Sequence, residues 1–229
     1  MGYEDRYDPD TDFDRWYTIG TGAVIARSIA PGDRVLELGC ATGLMTMALV
    51  ERGASVVGVD RVEAWLGRAR ARALPGTTFA VADLATLDMG SRFDHVVAAN
   101  VVHEMPDPAD LLRRCAAHLR SGGQLHVSVP NPRSIHRMLG VAMGALERLD
   151  QVSERAAGLE TLRMHDVGDL VAAAVAAGFE VDAMEPIMFK PLPNAHMATL
   201  PEAVIEGFLA MADEFPEHGA MSYVRFRRP

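Results

Sequence analysis

In VLELGCATG, Val35 to Gly43, an apolar run ends on a carboxylate and a glycine-rich turn. The run is typical of a strand that is buried on both faces, and the apolar segment after Gly43 has helical spacing. Glycine at positions 39 and 43 lets the backbone turn sharply and lets a ligand approach the main chain. The stretch therefore predicts a strand, a tight turn and a helix, with a ligand site at the turn.

The rest of the chain repeats this alternation of strands and helices, which builds a parallel sheet that is covered on both faces. Seven strands are predicted, at 33–39, 54–60, 77–83, 93–100, 124–130, 179–189 and 222–228. A helix at 108–120 is expected to end before Ser121-Gly122-Gly123, and 133–165 has no strand character, which predicts one or two inserted helices after the fifth strand. The predicted fold class is α/β, a doubly wound seven-stranded sheet in a single domain of 229 residues.

Composition and charge narrow the class of partner. The formal net charge of -9 and the pI near 5.3 argue against nucleic acid or an anionic membrane surface. The two cysteines, Cys40 and Cys115, form no CxxC pair and no metal-ligand spacing, so no metal and a reducing cytoplasm are expected. The acidic start does not have the pattern of a signal peptide, and no apolar run approaches the roughly 20 residues of a membrane span. We expect a soluble, cytoplasmic protein that acts on a small molecule.

A carboxylate ends each of the first three strands. Glu37, two positions before the turn, would repel a pyrophosphate but suits a ligand that carries an ammonium or sulfonium charge. Asp60 ends the second strand, where doubly wound nucleotide-binding folds place a carboxylate for both ribose hydroxyls. Asp83 ends the third strand, and with the backbone N–H of Leu84 it could recognise an adenine. A zwitterionic amino acid, a ribose and an adenine together describe S-adenosylmethionine.

From about Asp33 to Pro130 the chain resembles the seven-stranded, class I S-adenosylmethionine-dependent methyltransferases. The resemblance implies a mostly parallel sheet with an antiparallel last strand, and S-adenosylmethionine as the cofactor with S-adenosylhomocysteine as its product. It also implies the cofactor-binding residues: Glu37, Gly39, Cys40 and Gly43 around the methionine part, Asp60 at the ribose, Asp83 and Leu84 at the adenine, and Asn100 near the amino group. Val101 would contribute backbone contacts, and Arg61 is a further cofactor-binding residue. Glu37 would act through water or backbone. The turn departs from the family at Ala41, where glycine is frequent.

The segment 101–132, which begins VVHEMPDP, is similar to the segment after the fourth strand in the ubiquinone-biosynthesis O-methyltransferases and many small-molecule relatives. Those enzymes usually read Glu-His-x-x-Asp-Pro, whereas here His103 precedes Glu104, so no role is carried over from that pair. Histidine suits the removal of a hydroxyl proton near neutral pH. We predict His103 as a base or an acceptor-positioning group; the alternative is a loop histidine that caps the following helix.

Two segments are expected to cover the site. Residues 133–165 form a helical insert, where these enzymes commonly build acceptor specificity, and the predicted acceptor-binding residues are His136, Arg137, His165 and His196. The arginines and histidines of this insert hint at a polar or anionic acceptor. Met138 and Met143 either pack in the core or form an adaptable apolar lid. Residues 1–30 are predicted as a helical lid over the cofactor, which carries the aromatic residues Tyr3, Tyr7, Trp16 and Tyr17.

The expected function is transfer of a methyl group from S-adenosylmethionine to a small molecule, with oxygen favoured over nitrogen as the acceptor atom. Three alternatives stay open: an N-methyltransferase, a protein of this fold that binds the ligand without catalysis, and a nicotinamide-dependent dehydrogenase. Glu37 and the missing third glycine of the dinucleotide turn disfavour the dehydrogenase. A homodimer also stays open.

Overall fold

The computed structural model describes residues 3–229, and its centre is a seven-stranded sheet in the order β3-β2-β1-β4-β5-β7-β6. The strands are β1 Arg34–Leu38, β2 Ser55–Asp60, β3 Thr77–Val81, β4 Phe93–Ala99, β5 Leu119–Pro130, β6 Glu180–Phe189 and β7 Gly219–Arg227. All pairs from β3 through β5 are parallel, whereas β7 lies antiparallel to both β5 and β6. The predicted fold class, with its antiparallel last strand, is confirmed.

Helices follow the strands and cover the sheet. They are α1 Arg15–Ala26, α2 Leu44–Glu51, α3 Glu63–Ala71, α4 Pro108–His118, α5 Ile135–Ala142, α6 Glu154–Gly158, α7 Val167–Ala176, α8 Asn194–Met197 and α9 Glu202–Ala210. Short 3-10 turns span Tyr3–Asp5, Val102–Glu104 and Ala212–Glu214. In the described part of the chain, every helix is too short or too polar to traverse a lipid bilayer.

Alternating side chains of the sheet are buried on opposite faces. Leu36 and Val96 belong to a core cluster that contains Leu111 of α4 and Leu170 of α7. Val35 and Val97 point to the other face, where they join a cluster with Ile25 of α1 and Leu49 of α2. Because β1 and β4 are central strands with helices on both faces, nearly continuous apolar runs are what their positions require.

The segment between β4 and β5 differs from the sequence prediction. Helix α4 ends at His118 rather than Arg120, and β5 begins at Leu119, so that Ser121-Gly122-Gly123 lies within the strand's span. Leu119 is fully buried opposite Phe93, and the register then shifts before His95 pairs with Gln124. Gly122, with φ of 76°, donates its N–H to Arg228 O at 2.8 Å. Burial of Leu119 and pairing with the end of β7 therefore override the helical pattern.

The predicted helical insert contains two short helices, α5 and α6, joined by residues 143–153 without regular helix. Ser134 and Ser153 precede them, and the Ser153 hydroxyl accepts from the Ala156 N–H. The small helix α8 was not predicted, because four residues between prolines give little periodicity to detect. The insert and α8 both lie at the carboxyl ends of the strands.

Candidate active site

A cavity of about 620 Å³ runs along the carboxyl ends of the strands. Asp83 and Leu84, after β3, line one end of it, while His136 and Lys190, after β5 and β6, line the other. Its volume lies within the range of about 300–1,000 Å³ that is typical for small-ligand sites. Parallel sheets of this kind bind their ligands at this edge, next to the point where the strand order reverses between β1 and β4.

The turn after β1 is held by hydrogen bonds to β2. The backbone N–H groups of Gly39 and Cys40 both donate to Val59 O, at 2.8 and 3.1 Å. Gly39 has φ of 71°, and a Cβ at this position would stand 2.4 Å from Val101 Cγ1. Glycine is required here by the backbone conformation and by the close approach of Val101. Both Gly39 and Val101 line the cavity.

Gly43 has a different role from Gly39. It has φ of 76° and is the N-cap residue of α2, and its absent side chain leaves room for Ala69 of α3, whose Cβ would lie 3.3 Å away. Among the described residues, the cavity wall includes Gly39, Cys40 and Ala41 but not Gly43. Gly43 thus supports the turn on the side that packs against α3, away from the cavity. Ala41, at φ of 46°, adopts the left-handed conformation without glycine.

Glu37 is buried at the base of the cavity, with 3% of its surface exposed. Its Oε2 accepts the Thr46 hydroxyl of α2 at 2.6 Å. Burial raises the pKa of Glu37 to about 7; the Thr46 hydrogen bond opposes this rise, and Asp60 adds to it. A cation entering the cavity would favour the ionised carboxylate.

Asp60 is fixed by the backbone on both sides. Its Oδ2 accepts the Ala41 N–H and its Oδ1 accepts the Val62 N–H, each at 2.9 Å. Burial raises the pKa of Asp60, against the effect of these two hydrogen bonds and of Arg61. An ionised carboxylate has about four acceptor positions, so each oxygen retains capacity for a hydroxyl donor in the cavity. This geometry fits a ribose diol.

Asp83 and Leu84, which follow β3, line the cavity at its end farthest from Lys190. Asp83 is exposed, and its Oδ1 accepts the Ala85 N–H at 2.9 Å, which fixes the turn after β3. Leu84 is half-buried against the core. Trp65 of α3 also lines this part, and Tyr7 meets its ring edge-on at 5.8 Å. The sequence interpretation did not assign Trp65, which reads as an ordinary apolar position on a helix.

Asn100 follows β4 in a left-handed conformation, with φ of 59°. Its N–H donates to Ser128 O at 3.0 Å, and its side-chain Oδ1 accepts the Ser128 hydroxyl at 2.9 Å. These bonds hold Asn100 at the cavity wall beside Val101. Arg61 also lines the cavity but is half-exposed and pairs with Glu160 of the insert at 2.6 Å.

His103 is a buried side chain of the 3-10 turn Val102–Glu104 and lines the cavity. Its Nδ1 has no hydrogen-bond partner among residues 3–229. Burial, with a smaller effect of His165, lowers the pKa of His103 to about 4, so the imidazole is neutral at physiological pH. A neutral imidazole in the wall of a cavity can accept a proton from a ligand.

The structure separates the four predicted acceptor-binding residues. His136 and Arg137 line the cavity, but Arg137 donates to Leu149 O at 2.8 Å and to Gln151 O, so its guanidinium holds the insert's own loop. His165 is buried near His103, with an unpartnered Nε2, and lies outside the cavity wall in the described chain. His196 is exposed on α8, also outside that wall.

Polar contacts join the N-terminal segment to the insert above the cavity. Arg155 of α6 pairs with Asp14, and Arg6 pairs with Glu160 at 3.0 Å. Asn194 of α8 donates to Asp14 Oδ1 at 2.6 Å. We call these contacting segments, residues 6–17 and 145–160, the roof.

The aromatic residues of the predicted lid fall into different environments. Tyr7 and Tyr17 line the cavity, and the Tyr17 hydroxyl donates to Asn194 Oδ1 at 3.0 Å. Trp16 is packed in the core, and the side chain of Tyr3 lies outside the described residues. In the insert, Met138 and Met143 are exposed, so they belong to neither the core nor the cavity wall.

Lys190 is a cavity residue that sequence reasoning missed. It follows β6, is only 2% exposed, and is the only lysine among the 22 basic Lys and Arg residues of the chain. The signal in the sequence was its isolation in IMFKPLP, between apolar residues and prolines. Its burial depends on Phe13 and Tyr17, which are remote in sequence and therefore invisible to local patterns.

Comparison with known proteins identifies the family. A family model described as "Methyltransferase domain" matches residues 21–184. The ubiquinone biosynthesis O-methyltransferase of Pseudomonas aeruginosa is 34% identical over 105 residues, 44% of this chain and 45% of that protein. The enzyme of that name from Xanthomonas campestris is 36% identical over 114 residues, 47% of each chain. The chain thus spans about half the length of the curated relatives it matches.

Solved structures share the fold. An S-adenosylmethionine-dependent methyltransferase from Mesorhizobium loti has a TM-score of 0.67 at 23% identity, with 91% of this chain and 98% of that chain covered. The N-methyltransferase NodS from Bradyrhizobium japonicum, solved with S-adenosyl-L-homocysteine, has a TM-score of 0.62 at 17% identity, with 96% and 90% covered. Together with the family match over 21–184, these findings show that the chain belongs to the class I S-adenosylmethionine-dependent methyltransferases.

Proposed function

We propose that this protein transfers the methyl group of S-adenosylmethionine to an oxygen atom of a small molecule. One observation carries the proposal: Glu37, Asp60 and Asp83, from three successive strand ends, line one cavity that continues to His103 and the insert. The acids match the ammonium, ribose and adenine of the cofactor, and the remaining volume is available to an acceptor.

We assign the cofactor-binding part of the cavity residue by residue. Asp60 binds the ribose hydroxyls, with Arg61 at the rim; Asp83 and the Leu84 N–H bind the adenine. Glu37 supplies negative charge below the amino-acid part, and the turn at Gly39 and Cys40 gives it close backbone contact. Asn100 and Val101 complete the wall on the β4 side. Gly43 contributes by shaping the turn.

Bound S-adenosylmethionine supplies a methyl group that is already activated on a sulfonium. The chain's own residues must hold the acceptor in line with it and, for a hydroxyl acceptor, remove its proton. We assign proton removal to His103, because its neutral ring lies in the cavity wall. A neutral imidazole takes the proton as the oxygen loses it.

Exclusion of water is assigned to the roof. Segments 6–17 and 145–160 cover the cavity and contact each other through Arg155 and Asp14. Water would stabilise the sulfonium relative to a transition state in which its charge is dispersed, so a closed site favours transfer. A cavity beneath the roof and a net charge of -9 both favour a small acceptor over a nucleic acid.

A transfer experiment tests the proposal. The purified protein is incubated with S-adenosylmethionine labelled in its methyl group and with panels of phenols, carboxylic acids and amines. Label on an acceptor oxygen supports O-methylation, and label on nitrogen alone would replace it by N-methylation. Binding of S-adenosylhomocysteine without transfer to any panel would favour a non-catalytic role.

A further inference from the structure

Lys190 occupies a position where a lysine is costly. Its side chain is 2% exposed but lies in the wall of the cavity, at the end opposite Asp83. Its carbonyl accepts the His136 N–H at 3.1 Å, which holds the end of β6 against the start of α5. A buried ammonium is destabilising unless it is paired or made neutral.

The protein provides no counter-ion for this ammonium within residues 3–229. The ammonium contacts the ring faces of Phe13 and Tyr17, each at 5.9 Å, and makes no hydrogen bond or ion pair with the described residues. Asp14 acts on Lys190 electrostatically but forms no ion pair with it; Asp14 instead accepts from Asn194 at Oδ1 and pairs with Arg155 at Oδ2. Burial accordingly lowers the pKa of Lys190 to about 7.

The surroundings define the charge and shape of a fitting ligand. Arg137 and Arg155 add positive potential nearby, but both guanidiniums already bind protein oxygens. His136 is neutral, because burial lowers its pKa far below the usual range. Lys190 is the member of this group that has no protein oxygen as a partner among the described residues, so its ammonium is available to a ligand anion. Leu146 and Met164 in the same wall suit an apolar body.

We propose that Lys190 is the acceptor-recognition residue of the cavity, and that the methyl acceptor carries a carboxylate that pairs with its ammonium. The statement that the bound anion is the methyl acceptor rests on the proposed function. Binding of an anion by Lys190 does not depend on methyl transfer. A carboxylate would accept a charge-assisted hydrogen bond from the ammonium and offset part of its loss of hydration. Lys190 binds and orients here, whereas His103 removes the proton.

The single lysine allows a direct measurement. The protein is produced with 13C-labelled lysine and saturated with S-adenosylhomocysteine, and the Lys190 Cε signal is followed by NMR as pH is varied. Benzoate is the probe, and benzamide is its neutral isostere. Benzoate should raise the pKa of Lys190 by about one unit or more, because a tenfold preference for the charged amine corresponds to one unit. Benzamide should leave it unchanged.

Variants separate charge from packing. Benzoate should raise the melting temperature of the unmodified protein. Lys190→Met, whose side chain has a similar length, should abolish this rise, and Lys190→Arg should retain it. Arg163→Gln removes an exposed charge of the insert outside the cavity wall and should behave as the unmodified protein.

Two results overturn the proposal. One is an equal response to benzoate and benzamide; the other is a Lys190 signal that responds to neither, while S-adenosylhomocysteine still binds. Failure of S-adenosylhomocysteine to bind would instead refute the proposed function, and the benzoate titration of the unliganded protein would still decide the anion site.

Discussion

Glu37 and Asp60 are neighbouring carboxylates that differ in the hydrogen bonds they accept and in their burial. Asp60 receives two backbone N–H groups, whereas Glu37 receives one hydroxyl, from Thr46, and is more deeply buried. Both pKa values are raised by burial, and that of Glu37 reaches about 7. Burial therefore makes ionisation of Glu37 unfavourable, and a cationic ligand beside it would favour the ionised form.

Glu37→Gln tests this electrostatic cost in the ligand-free protein. The folded state keeps the Glu37 proton up to about pH 7, whereas the ordinary pKa of a glutamate is 4.5. The stabilising contribution of Glu37 is therefore complete below pH 4.5 and is lost as pH rises through 7. One pKa unit corresponds to about 1.36 kcal/mol. The free energy of unfolding of Glu37→Gln, relative to that of the unmodified protein, should therefore rise by about 2–3 kcal/mol between pH 5 and pH 8.

Denaturant unfolding at the two pH values measures this difference. Glu51→Gln, at an exposed position of α2, is the matched control. If Glu37→Gln shows the same stability difference at both pH values, the raised pKa of Glu37 is wrong.

His103→Gln tests the assigned base. We expect kcat to fall about 10²-fold or more, because a positioned base contributes that much, while S-adenosylhomocysteine affinity stays unchanged. Burial lowers the pKa of His103 to about 4, so the acid limb of the kcat profile of the unmodified enzyme should lie below pH 6. Exposed His196→Gln is the control. Unchanged kcat in His103→Gln would move the assignment to His136, which also lines the cavity.

At the scale of elements, the roof is held by contacts that can break. The pairs of Arg155 with Asp14 and of Arg6 with Glu160 are partly exposed, and exposed ion pairs contribute about 0–1 kcal/mol each. The roof is therefore expected to open for ligands without unfolding the sheet beneath it.

Arg155→Gln tests this expectation. Hydrogen–deuterium exchange of backbone amides in 6–17 and 145–160 should accelerate, while the free energy of unfolding changes by less than about 1 kcal/mol. S-adenosylhomocysteine should slow exchange of the same amides in the unmodified protein. Arg148→Gln, whose guanidinium pairs with Asp150 within the insert loop, is the control. Equal exchange in both variants would show that Arg155 does not close the roof.

At the scale of the whole molecule, the sequence predicted the features that depend on local patterns. The order of strands and helices and the carboxylates at strand ends follow from periodicity, glycine positions and spacing, and the structure brings Glu37, Asp60 and Asp83 to one cavity. The features it missed depend on distant contacts. Lys190 is buried by Phe13 and Tyr17, and β5 begins early because Leu119 packs opposite Phe93.

The predicted acceptor residues show the same limit. His196 and Arg137 looked equivalent as polar residues near the last strands, but only the tertiary structure shows that one is exposed and the other holds a loop. Side-chain direction in short helices and loops is set by packing, which local sequence does not encode.

Calorimetric titration with S-adenosylhomocysteine tests the central claim, that the acids at the strand ends bind this cofactor. The unmodified protein should bind S-adenosylhomocysteine and not NAD, and Asp60→Ala should lose about 10²-fold or more in affinity, because hydrogen bonds to a charged group contribute about 1.5–3 kcal/mol each. Asp88→Ala, which lies between β3 and β4 and outside the cavity wall, should bind S-adenosylhomocysteine as the unmodified protein does. Binding of neither ligand, or full binding by Asp60→Ala, would contradict the account.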